Sequence, residues 1–470
     1  MRPVRWRKGV LAFAFFLMAS MSYVVLLSIR NRHETTRTLG NEANETPYQS
    51  AHTRLPPLST PHSQKEPQIV QKATERQIMR ETKVTEKSEE NIRDRALSIN
   101  GMERVLNEDR FPNHLTSPEA IILVVQVHNR ANYFKYLIES LKAIRDVDRV
   151  LVIISHDLYS EEMNSLVRSI DFCRVVQVFY PYSIQFYPDQ FPAQDPLDCP
   201  RDINRAQAMQ RRCKNAEHPD QYGHYREAKV TMTKHHWWWK ISHVFDGMKL
   251  TKDFTGHVVF LEEDHYVSPD LVYMLNKMIS MKPSACPSCD FIGLGIYDKL
   301  NDFRSLGSAI HVQAWVSGKH NMGFAMNRET WNRLKSCSKM FCEFDDYNWD
   351  WTLQSLGKRC LNRPLSVVVV KTPKVFHIGQ CGVHHKNSAQ CDAKPTVDHF
   401  RDIIQKNLEN LFPKEISLIG SSNPPASFAV MTNTGYGGWG DMRDRQLCLS
   451  YTEQNPEAIL SQLGGYLKRL

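Results

Sequence analysis

Three consecutive carboxylates, Glu262, Glu263 and Asp264, directly follow the apolar run 257–261. Adjacent carboxylates repel one another, and a divalent cation relieves that repulsion because it accepts hard oxygen ligands. A solvated acidic turn is the alternative explanation for such a triplet. The buried strand expected just before it argues against a simple turn, so the triplet predicts a metal site at the end of a strand.

A histidine that could complete such a site, His377, follows the valine run 367–370 and the apolar residues 375–376. Imidazole nitrogen is a common metal ligand. A single histidine after a strand is nevertheless more often a core or surface residue. Spacing alone therefore leaves the role of His377 open.

Two apolar runs nearer the N-terminus, 120–127 and 150–154, predict the strands that begin the fold. The residues between them repeat apolar side chains at helical spacing, so the pattern indicates a β-α-β unit with buried parallel strands. In such sheets ligands bind beyond the carboxyl ends of the strands, which directs attention to Arg130 and Asp157. Asp and Asn also occur in ordinary turns, so neither residue is diagnostic alone.

The formal net charge of +8, from 59 Lys+Arg and 51 Asp+Glu, is concentrated near the N-terminus. Residues 1–37 carry +6 of it, and residues 117–470 carry only +3. So small an excess over some 350 residues argues against a nucleic-acid-binding protein. With 41% hydrophobic and 23% charged residues, the chain as a whole is neither disordered nor a multispanning membrane protein.

Residues 9–29 contain no charged side chain, and a helix of that length spans about 30 Å, the thickness of a bilayer core. A cleaved signal peptide is the alternative, but the apolar stretch is long for one. Four basic residues precede the stretch, which favours a cytoplasmic N-terminus. We therefore expect a cytoplasmic tail at 1–8, a transmembrane anchor at 9–29, a lumenal stem at 30–116 and a catalytic domain at 117–470.

The stem is polar and alternates basic and acidic residues, as an extended or partly helical segment does. A sparse apolar series, Ile78, Val84, Ile92 and Leu97, could form a short coiled coil that makes the protein a homodimer through its stem. Asn44 lies in an N-x-[ST] sequon, where a glycan would disturb no fold.

All eleven cysteines lie after residue 170, as expected for a disulfide-bonded lumenal domain. Free thiols in a cytosolic enzyme are the alternative, which the anchor and the sequon disfavour. Cys286 and Cys289 have C-x-x-C spacing without the second ligand pair that a zinc site needs, so a local disulfide is the better interpretation. Because eleven is odd, at least one thiol is left over, and Cys173 in an apolar segment is the natural candidate.

The P-loop, dinucleotide-binding and G-x-S-x-G motifs do not occur in the sequence. What remains is a lumenal α/β domain with a carboxylate metal site, behind an N-terminal anchor. In the secretory pathway, that combination points to nucleotide-sugar chemistry.

Six segments of the globular part are distinctive: 126–130, 223–229, 233–240, 260–266, 345–351 and 437–441. The run His235-His236-Trp237-Trp238-Trp239 is the rarest part of them. Together these segments strongly resemble the Golgi N-acetylglucosaminyltransferase II family, and the resemblance runs from about residue 117 to 450. It covers nearly the whole globular part, whereas anchor and stem match only in layout.

The resemblance implies an α/β fold of the GT-A (Rossmann-like) class. It also implies inverting transfer of N-acetylglucosamine from UDP-GlcNAc to O2 of the α1,6-arm mannose of an N-glycan acceptor. It assigns Asp264 and His377 as ligands of Mn²⁺ and Asp350 as the general base, in a single-pass type II protein of the Golgi membrane. Residues matched to the nucleotide sugar are Gln126, Val127, His128, Asn129, Arg130, Asp157, Met232, Thr233, Lys234, His235 and His236.

The resemblance further implies disulfides 199–213, 286–289, 337–360, 342–448 and 381–391, with Cys173 free. One departure lies at Asn301, where the family has an arginine in the substrate region, and Arg304 could substitute for it. Beside Asp350, Trp349 and Trp351 could offer apolar faces to sugar rings or could pack in the core. Of Trp237, Trp238 and Trp239, at least one must be structural, because a helix cannot turn three consecutive residues to one side.

Two other functions fit the same residues. One is a related transferase that uses the same donor with another acceptor, such as N-acetylglucosaminyltransferase I or an O-mannose-linked enzyme. The other is a membrane-anchored glycan-binding protein without catalysis, which the presence of Asp264, His377 and Asp350 disfavours.

Overall fold

The computed structural model describes residues 91–117, 119–297, 302–380, 392–423 and 435–453. The expected tail, anchor, most of the stem and Asn44 lie outside the described residues, as do Ile78, Val84 and Asn301. None of the helices in the described ranges has the length and apolar character that crossing a bilayer requires.

A mixed sheet of ten strands forms the centre of the described part of the chain, in the order β1-β4-β3-β2-β5-β9-β7-β10-β8-β12. Strands β4, β3, β2 and β5 are parallel neighbours, which confirms the predicted β-α-β unit and the α/β class. A separate two-stranded antiparallel ribbon joins β6 and β11. The strands are β1 (Val105–Leu106), β2 (Ile121–Val127), β3 (Leu151–His156), β4 (Arg174–Phe179), β5 (His257–Glu262), β6 (His265–Val267), β7 (Phe291–Gly293), β8 (Ala309–Ala314), β9 (Phe324–Asn327), β10 (Ser366–Val370), β11 (Val375–His377) and β12 (Ser417–Leu418).

Helices cover both faces of the sheet, which explains why the central strands are apolar without alternation. Ile122 and Val124 of β2 belong to one hydrophobic cluster, whereas Leu123 and Val125 belong to another. The first cluster includes Trp237 of the Ala228–Ser242 helix. The helices are Ala131–Lys142, Glu161–Arg168, Arg205–Arg211, Ala228–Ser242, Leu271–Ala285, Phe303–Leu306, Ser317–His320, Arg328–Lys335, Ser338–Glu343, Trp349–Arg359, Lys394–Lys406 and Met442–Ser450.

The ordered fold includes residues that were expected in the stem, so it begins before the boundary at 117. Strand β1 pairs with β4 at the edge of the main sheet. In the helical residues 91–102, Ala96 is fully buried and Asn100 exchanges two hydrogen bonds with the backbone of Phe179. Ile92 is partly buried and packs against the small hydrophobic cluster that contains Ala96 and Phe179.

Four of the five disulfides implied by the resemblance are present: Cys199–Cys213, Cys286–Cys289, Cys337–Cys360 and Cys342–Cys448. Cys173 is free and buried, as predicted. The pair 381–391 lies outside the described residues. Three bridges connect residues at least fourteen positions apart and so restrain loops around the sheet.

Candidate functional site

The carboxylate triplet lies where β5 ends, beside the carboxyl end of its parallel neighbour β2. The backbone N–H of Glu263 donates to the carbonyl of Gln126 at 3.0 Å, which ties the triplet to β2. Among the described residues, Glu262, Asp264 and His265 are the group of three whose ligand atoms all lie within 4.8 Å of one another. Two members of the triplet, together with His265, are therefore close to the geometry that a metal ion requires.

The β6–β11 ribbon brings His377 to this group. His265 and His377 oppose each other across the ribbon, and the N–H of Ile378 donates to the carbonyl of Asp264 at 2.9 Å. Nε2 of His377 lies 3.4 Å from Oδ2 of Asp264. A Cβ atom on Gly379 would lie 2.3 Å from that same oxygen, so only glycine leaves room for the Asp264 carboxylate.

Arg130 and the backbone of His128 hold the two buried carboxylates of the triplet. Nε of Arg130 donates to Glu263 at 2.5 Å and Nη1 lies 2.9 Å from Oδ2 of Asp264. The N–H of His128 donates to the other oxygen of Glu263 at 2.7 Å. Both carboxylate oxygens of Glu263 thus accept hydrogen bonds from the 128–130 loop, and these bonds hold the loop in place.

The pKa values of Glu262 and Asp264 shift in opposite directions. Burial raises the pKa of Glu262 to about 7, aided by repulsion from Asp264 and opposed by the positive charge of Lys240. Burial would also raise the pKa of Asp264, but its contacts with His377 and Arg130 hold that pKa well below its usual value. The contacts of Asp264 therefore favour its charged form, although the side chain is buried.

The residues present fit a divalent cation. Oδ1 of Asp264 is buried and has no hydrogen-bond partner among the described residues. A buried, charged oxygen without a partner is costly unless something positive completes its coordination. With an imidazole nitrogen beside it, the donor set of carboxylate oxygen and histidine nitrogen suits Mn²⁺ better than Ca²⁺.

A second polar group lies at the ends of β2 and β3, around Asp157. The ring of His128 hydrogen-bonds to Asp157 at 2.6 Å, and Nδ1 of His236 lies 3.7 Å from the other oxygen. Burial alone would raise the pKa of Asp157, but the two histidines hold it well below its usual value. For His128, burial alone would lower the pKa. The hydrogen bond to Asp157 and the charge of its carboxylate outweigh that effect, so the pKa of His128 is raised. The structure thus brings together three of the residues matched to the nucleotide sugar.

The residues of the Ala228–Ser242 helix that are matched to the donor point in different directions. Met232 and His236, four positions apart, lie on one face. Lys234 is fully buried and its Nζ donates to the carbonyls of Phe344 and Asp346. His235, 2% exposed, hydrogen-bonds to Asp444 and Tyr451. The structure therefore does not bring Lys234 and His235 to Asp157.

The other matched positions differ in what they can offer a ligand. Val127 is fully buried in the core, so only its backbone faces the strand end. Asn129 is exposed, whereas Gln126 and Thr233 are half-buried.

Asp350, the expected base, is the second residue of the Trp349–Arg359 helix. Its two oxygens accept hydrogen bonds at 2.8 Å, one from the Asn321 side chain and one from the N–H of Trp351. Burial raises the pKa of Asp350 despite these bonds, and the charge of Asp346 adds to the effect. A raised pKa suits a group that must take up a proton.

Tyr297 lies beside the metal group, with its ring centroid 6.2 Å from that of His377. Its side chain is 45% exposed. Partial burial and the negative charges of Glu262, Asp264 and Asp350 raise its pKa. Charges from two separate segments of the chain therefore act on this one side chain. Tyr297 and Asn321 are site residues that sequence reasoning missed, since neither has a motif around it.

The tryptophans beside Asp350 have different environments. Trp349 is 7% exposed and stacks on Trp237, with ring centroids 4.2 Å apart. Trp351 is half-buried and touches the exposed Tyr436 edge-on at 5.4 Å. Only Trp351 is therefore positioned to meet a sugar ring. The run Trp237, Trp238 and Trp239 is entirely buried, and Arg304 is exposed on a short helix.

Comparisons with known proteins agree on one family. The sequence profile of N-acetylglucosaminyltransferase II (MGAT2) matches residues 93–448. The rat α-1,6-mannosyl-glycoprotein 2-β-N-acetylglucosaminyltransferase is 46% identical over 335 residues, which cover 71% of this chain and 75% of the rat protein. The human enzyme of that name is 44% identical, covering 71% and 74%. The Arabidopsis thaliana enzyme is 33% identical over 353 residues, covering 73% and 77%.

Among solved structures, the galactosyltransferase LgtC in complex with donor and acceptor sugar analogs covers 61% of this chain and 95% of its own. Its TM-score of 0.30, at 10% identity, is too low to support an inference. The sequence matches are extensive, and they include the carboxylate triplet, His377 and Asp350 within the matched range. On these matches, the chain belongs to the N-acetylglucosaminyltransferase II family and is a glycosyltransferase.

Proposed function

We propose that this chain transfers N-acetylglucosamine from UDP-GlcNAc, with inversion, to O2 of the α1,6-arm mannose of N-glycans, in a GT-A domain. The reaction is a step of N-glycan synthesis, in line with the names of its relatives. The observation that carries the proposal is the buried Oδ1 of Asp264, which has no hydrogen-bond partner among the described residues and lies in a carboxylate whose other oxygen is 3.4 Å from His377. In this proposal, one cleft at the strand ends holds a place for the leaving diphosphate and a base for the acceptor.

Asp264 and His377 would hold Mn²⁺. A divalent cation at that position would offset the negative charge that grows on the UDP diphosphate as the glycosidic bond breaks. Arg130 adds a fixed positive charge beside Asp264, and Glu263 keeps its guanidinium in place. His128, held by Asp157, adds an imidazole ring at the neighbouring strand ends.

Asp350 takes the proton in the transfer step. The mannose O2 attacks the anomeric carbon from the face opposite UDP, the bond from that carbon to the phosphate oxygen breaks, and the O2 proton passes to the Asp350 carboxylate. Asn321 and the N–H of Trp351 fix the direction of that carboxylate. A mannose hydroxyl is a poor nucleophile, so a base with a raised pKa and a fixed direction is what the reaction needs.

We further propose that the protein is a single-pass type II protein of the Golgi membrane, anchored by residues 9–29 with its catalytic domain in the lumen. The four disulfides support this proposal, since they persist in oxidising compartments. A homodimer through the stem stays a prediction from the sequence.

The replacement Asp350→Asn tests the proposal directly. It should lower kcat by about 10²- to 10⁴-fold because the proton acceptor is lost. Calorimetric binding of UDP-GlcNAc with Mn²⁺ should persist. The exposed Asp253 provides the matched control, since Asp253→Asn makes the same chemical change away from the cleft.

The assay uses labelled UDP-GlcNAc and a set of defined N-glycans. Transfer to the free α1,6-arm mannose of a glycan whose α1,3 arm already carries N-acetylglucosamine is the expected result. Transfer only to another acceptor would identify a related transferase, and near-normal turnover of Asp350→Asn would eliminate Asp350 as the base.

A further inference from the structure

Lys240 is a buried lysine, 1% exposed, that lies below the strand ends of the cleft. It belongs to the Ala228–Ser242 helix, and its Nζ donates to Oε1 of Gln126 at 2.7 Å. Removing an ammonium group from water is costly, so a lysine in this position calls for an explanation. Its contact with Gln126 places it one residue away from the cleft.

The strand register shows what this helix covers. Gln126 lies opposite Ser155 of β3 and opposite Glu262 of β5, so these three side chains form a row at the carboxyl ends of three parallel strands. The helix meets the row twice, because His236 hydrogen-bonds to Ser155 at 2.8 Å and Lys240 to Gln126. Four positions separate His236 from Lys240, which places them on one helix face. The helix thus supports the floor of the cleft with polar contacts.

The chemistry of the contact fixes which way the Gln126 amide points. An amide has an acceptor oxygen and a donor nitrogen, whereas an ammonium group can only donate. The oxygen of Gln126 must therefore face Lys240, and its NH₂ group is turned away. Burial lowers the pKa of Lys240 to about 7, and the charge of Glu262 opposes that shift. A neutral amine also has a lone pair that accepts hydrogen bonds, so the preference for the Gln126 oxygen belongs to the ammonium form, which the charge of Glu262 favours.

Gln126 is also the residue of β2 that is half-buried while the other six residues of the strand are buried. Gln126 is thus partly exposed to solvent at the strand end, in register with Glu262. With its oxygen held by Lys240, it can present only hydrogen-bond donors there.

We propose that Lys240 is a positioning residue that holds Gln126 as a hydrogen-bond donor toward an oxygen atom of the nucleotide sugar. The inference rests on the proposed function, since it assumes that the cleft binds UDP-GlcNAc. Lys240 itself does not touch the donor. A freely rotating Gln126 could turn its oxygen toward the oxygen-rich ligand and beside Glu262, which would weaken binding.

A double-mutant cycle between Lys240 and Gln126 separates this role from a general structural one. The variants are Lys240→Met, Gln126→Leu and both together, and the measurement is the calorimetric Kd of UDP-GlcNAc in the presence of Mn²⁺. Each single variant should weaken binding about tenfold, the value of one hydrogen bond. Because Lys240 acts through Gln126, the double variant should also lose about tenfold, whereas independent effects would multiply to about a hundredfold.

Steady-state kinetics provide a second measure, in which the effect of Lys240→Met should fall mainly on the KM for UDP-GlcNAc and much less on kcat. Lys335→Met is the matched control, since Lys335 is a partly exposed lysine paired with Asp246. It should change neither the Kd nor the KM.

Gln126→Glu keeps the test informative if Lys240→Met fails to fold. A glutamate preserves an acceptor for Lys240, so the protein should keep its melting temperature, yet it presents no donor to the cleft. UDP-GlcNAc binding should therefore fall at least about tenfold.

Wild-type binding by Gln126→Glu, unchanged binding by Lys240→Met, or a hundredfold loss in the double variant would each overturn the inference. A wild-type protein that does not bind UDP-GlcNAc at all would instead overturn the proposed function.

Discussion

Lys374 and Asp270 form a buried ion pair at the far end of the ribbon that carries His377, and removing Lys374 alone should destabilise the protein strongly. Both side chains are 0% exposed, and Nζ lies 2.7 Å from Oδ2. The other oxygen of Asp270 accepts a hydrogen bond from Ser268 at 2.6 Å. Lys374→Met leaves a buried carboxylate without its cation, which lowers the free energy of unfolding by about 3–5 kcal/mol.

Removing both charges should cancel most of that loss. In the double variant Lys374→Met, Asp270→Leu, no charge remains to be desolvated, and apolar pairs of similar volume are often as stable as the ion pair they replace. We therefore expect a free energy of unfolding within about 1 kcal/mol of the wild type.

Urea unfolding followed by tryptophan fluorescence, with the disulfides kept oxidised, measures these free energies. Lys394→Met is the control, because Lys394 pairs with Asp398 on an exposed helix surface and should lose at most about 0.5 kcal/mol. The reasoning fails if Lys374→Met loses less than about 1 kcal/mol, or if the double variant is as unstable as the single one.

Three further predictions concern the site, the pH dependence and the disulfides. Asp264→Asn or His377→Gln should each weaken Mn²⁺-dependent UDP binding at least about tenfold in calorimetry, and an unchanged affinity would remove that residue from the metal site. Burial lowers the pKa of His156 to about 3, whereas the unfolded residue titrates near 6.5, so the unfolded chain binds one more proton between these values and stability falls as the pH falls. His156→Gln should reduce that slope, measured by urea unfolding at pH 5 and pH 6, by up to about 1.4 kcal/mol per pH unit; an unaltered slope would show that His156 is not the group responsible. Replacing Cys342 and Cys448 by alanine opens a loop with a sequence separation of 106 and should reduce the free energy of unfolding by about 5 kcal/mol, so a loss under about 2 kcal/mol would contradict the loop-entropy argument.

The central strands and the position of the carboxylate triplet could be predicted because each depends on short stretches of sequence. A β-branched run without polar alternation is stable only where both faces are covered, so β2, β3 and β5 were identified before their partners were known. The ends of parallel strands then meet at one edge of the sheet. Asp157 and Glu263 are near neighbours there for that reason, through contacts with His128.

The direction of individual side chains could not be predicted in the same way. The resemblance covered 232–236 as a block, but successive residues of a helix point about 100° apart, so Lys234 and His235 turn to buried partners while His236 meets Asp157. Which residue turns inward depends on what packs above the helix. The partner of Lys234, for example, is a carbonyl more than a hundred positions later in the chain.

Long-range contacts also explain what the sequence left open around Asp350 and His377. Trp349 is in the core because Trp237 lies parallel to it, and nothing near either residue in the sequence indicates that stack. The sequence leaves the role of His377 open, because only the pairing of β11 with β6 brings this residue to Asp264. Residues 91–116 were expected in the stem because they are polar, although a two-residue strand, β1, adds them to the sheet.

The proposed metal site can form only after β6 and β11 have paired, so its formation depends on complete folding. Asp264 and His377 come from distant parts of the chain and meet only when the ribbon has formed, so an incompletely folded chain has no place for the cation. A cation that binds only the native state stabilises it in proportion to the logarithm of its concentration above Kd. Manganese supply would then affect how long the protein survives, as well as how fast it works.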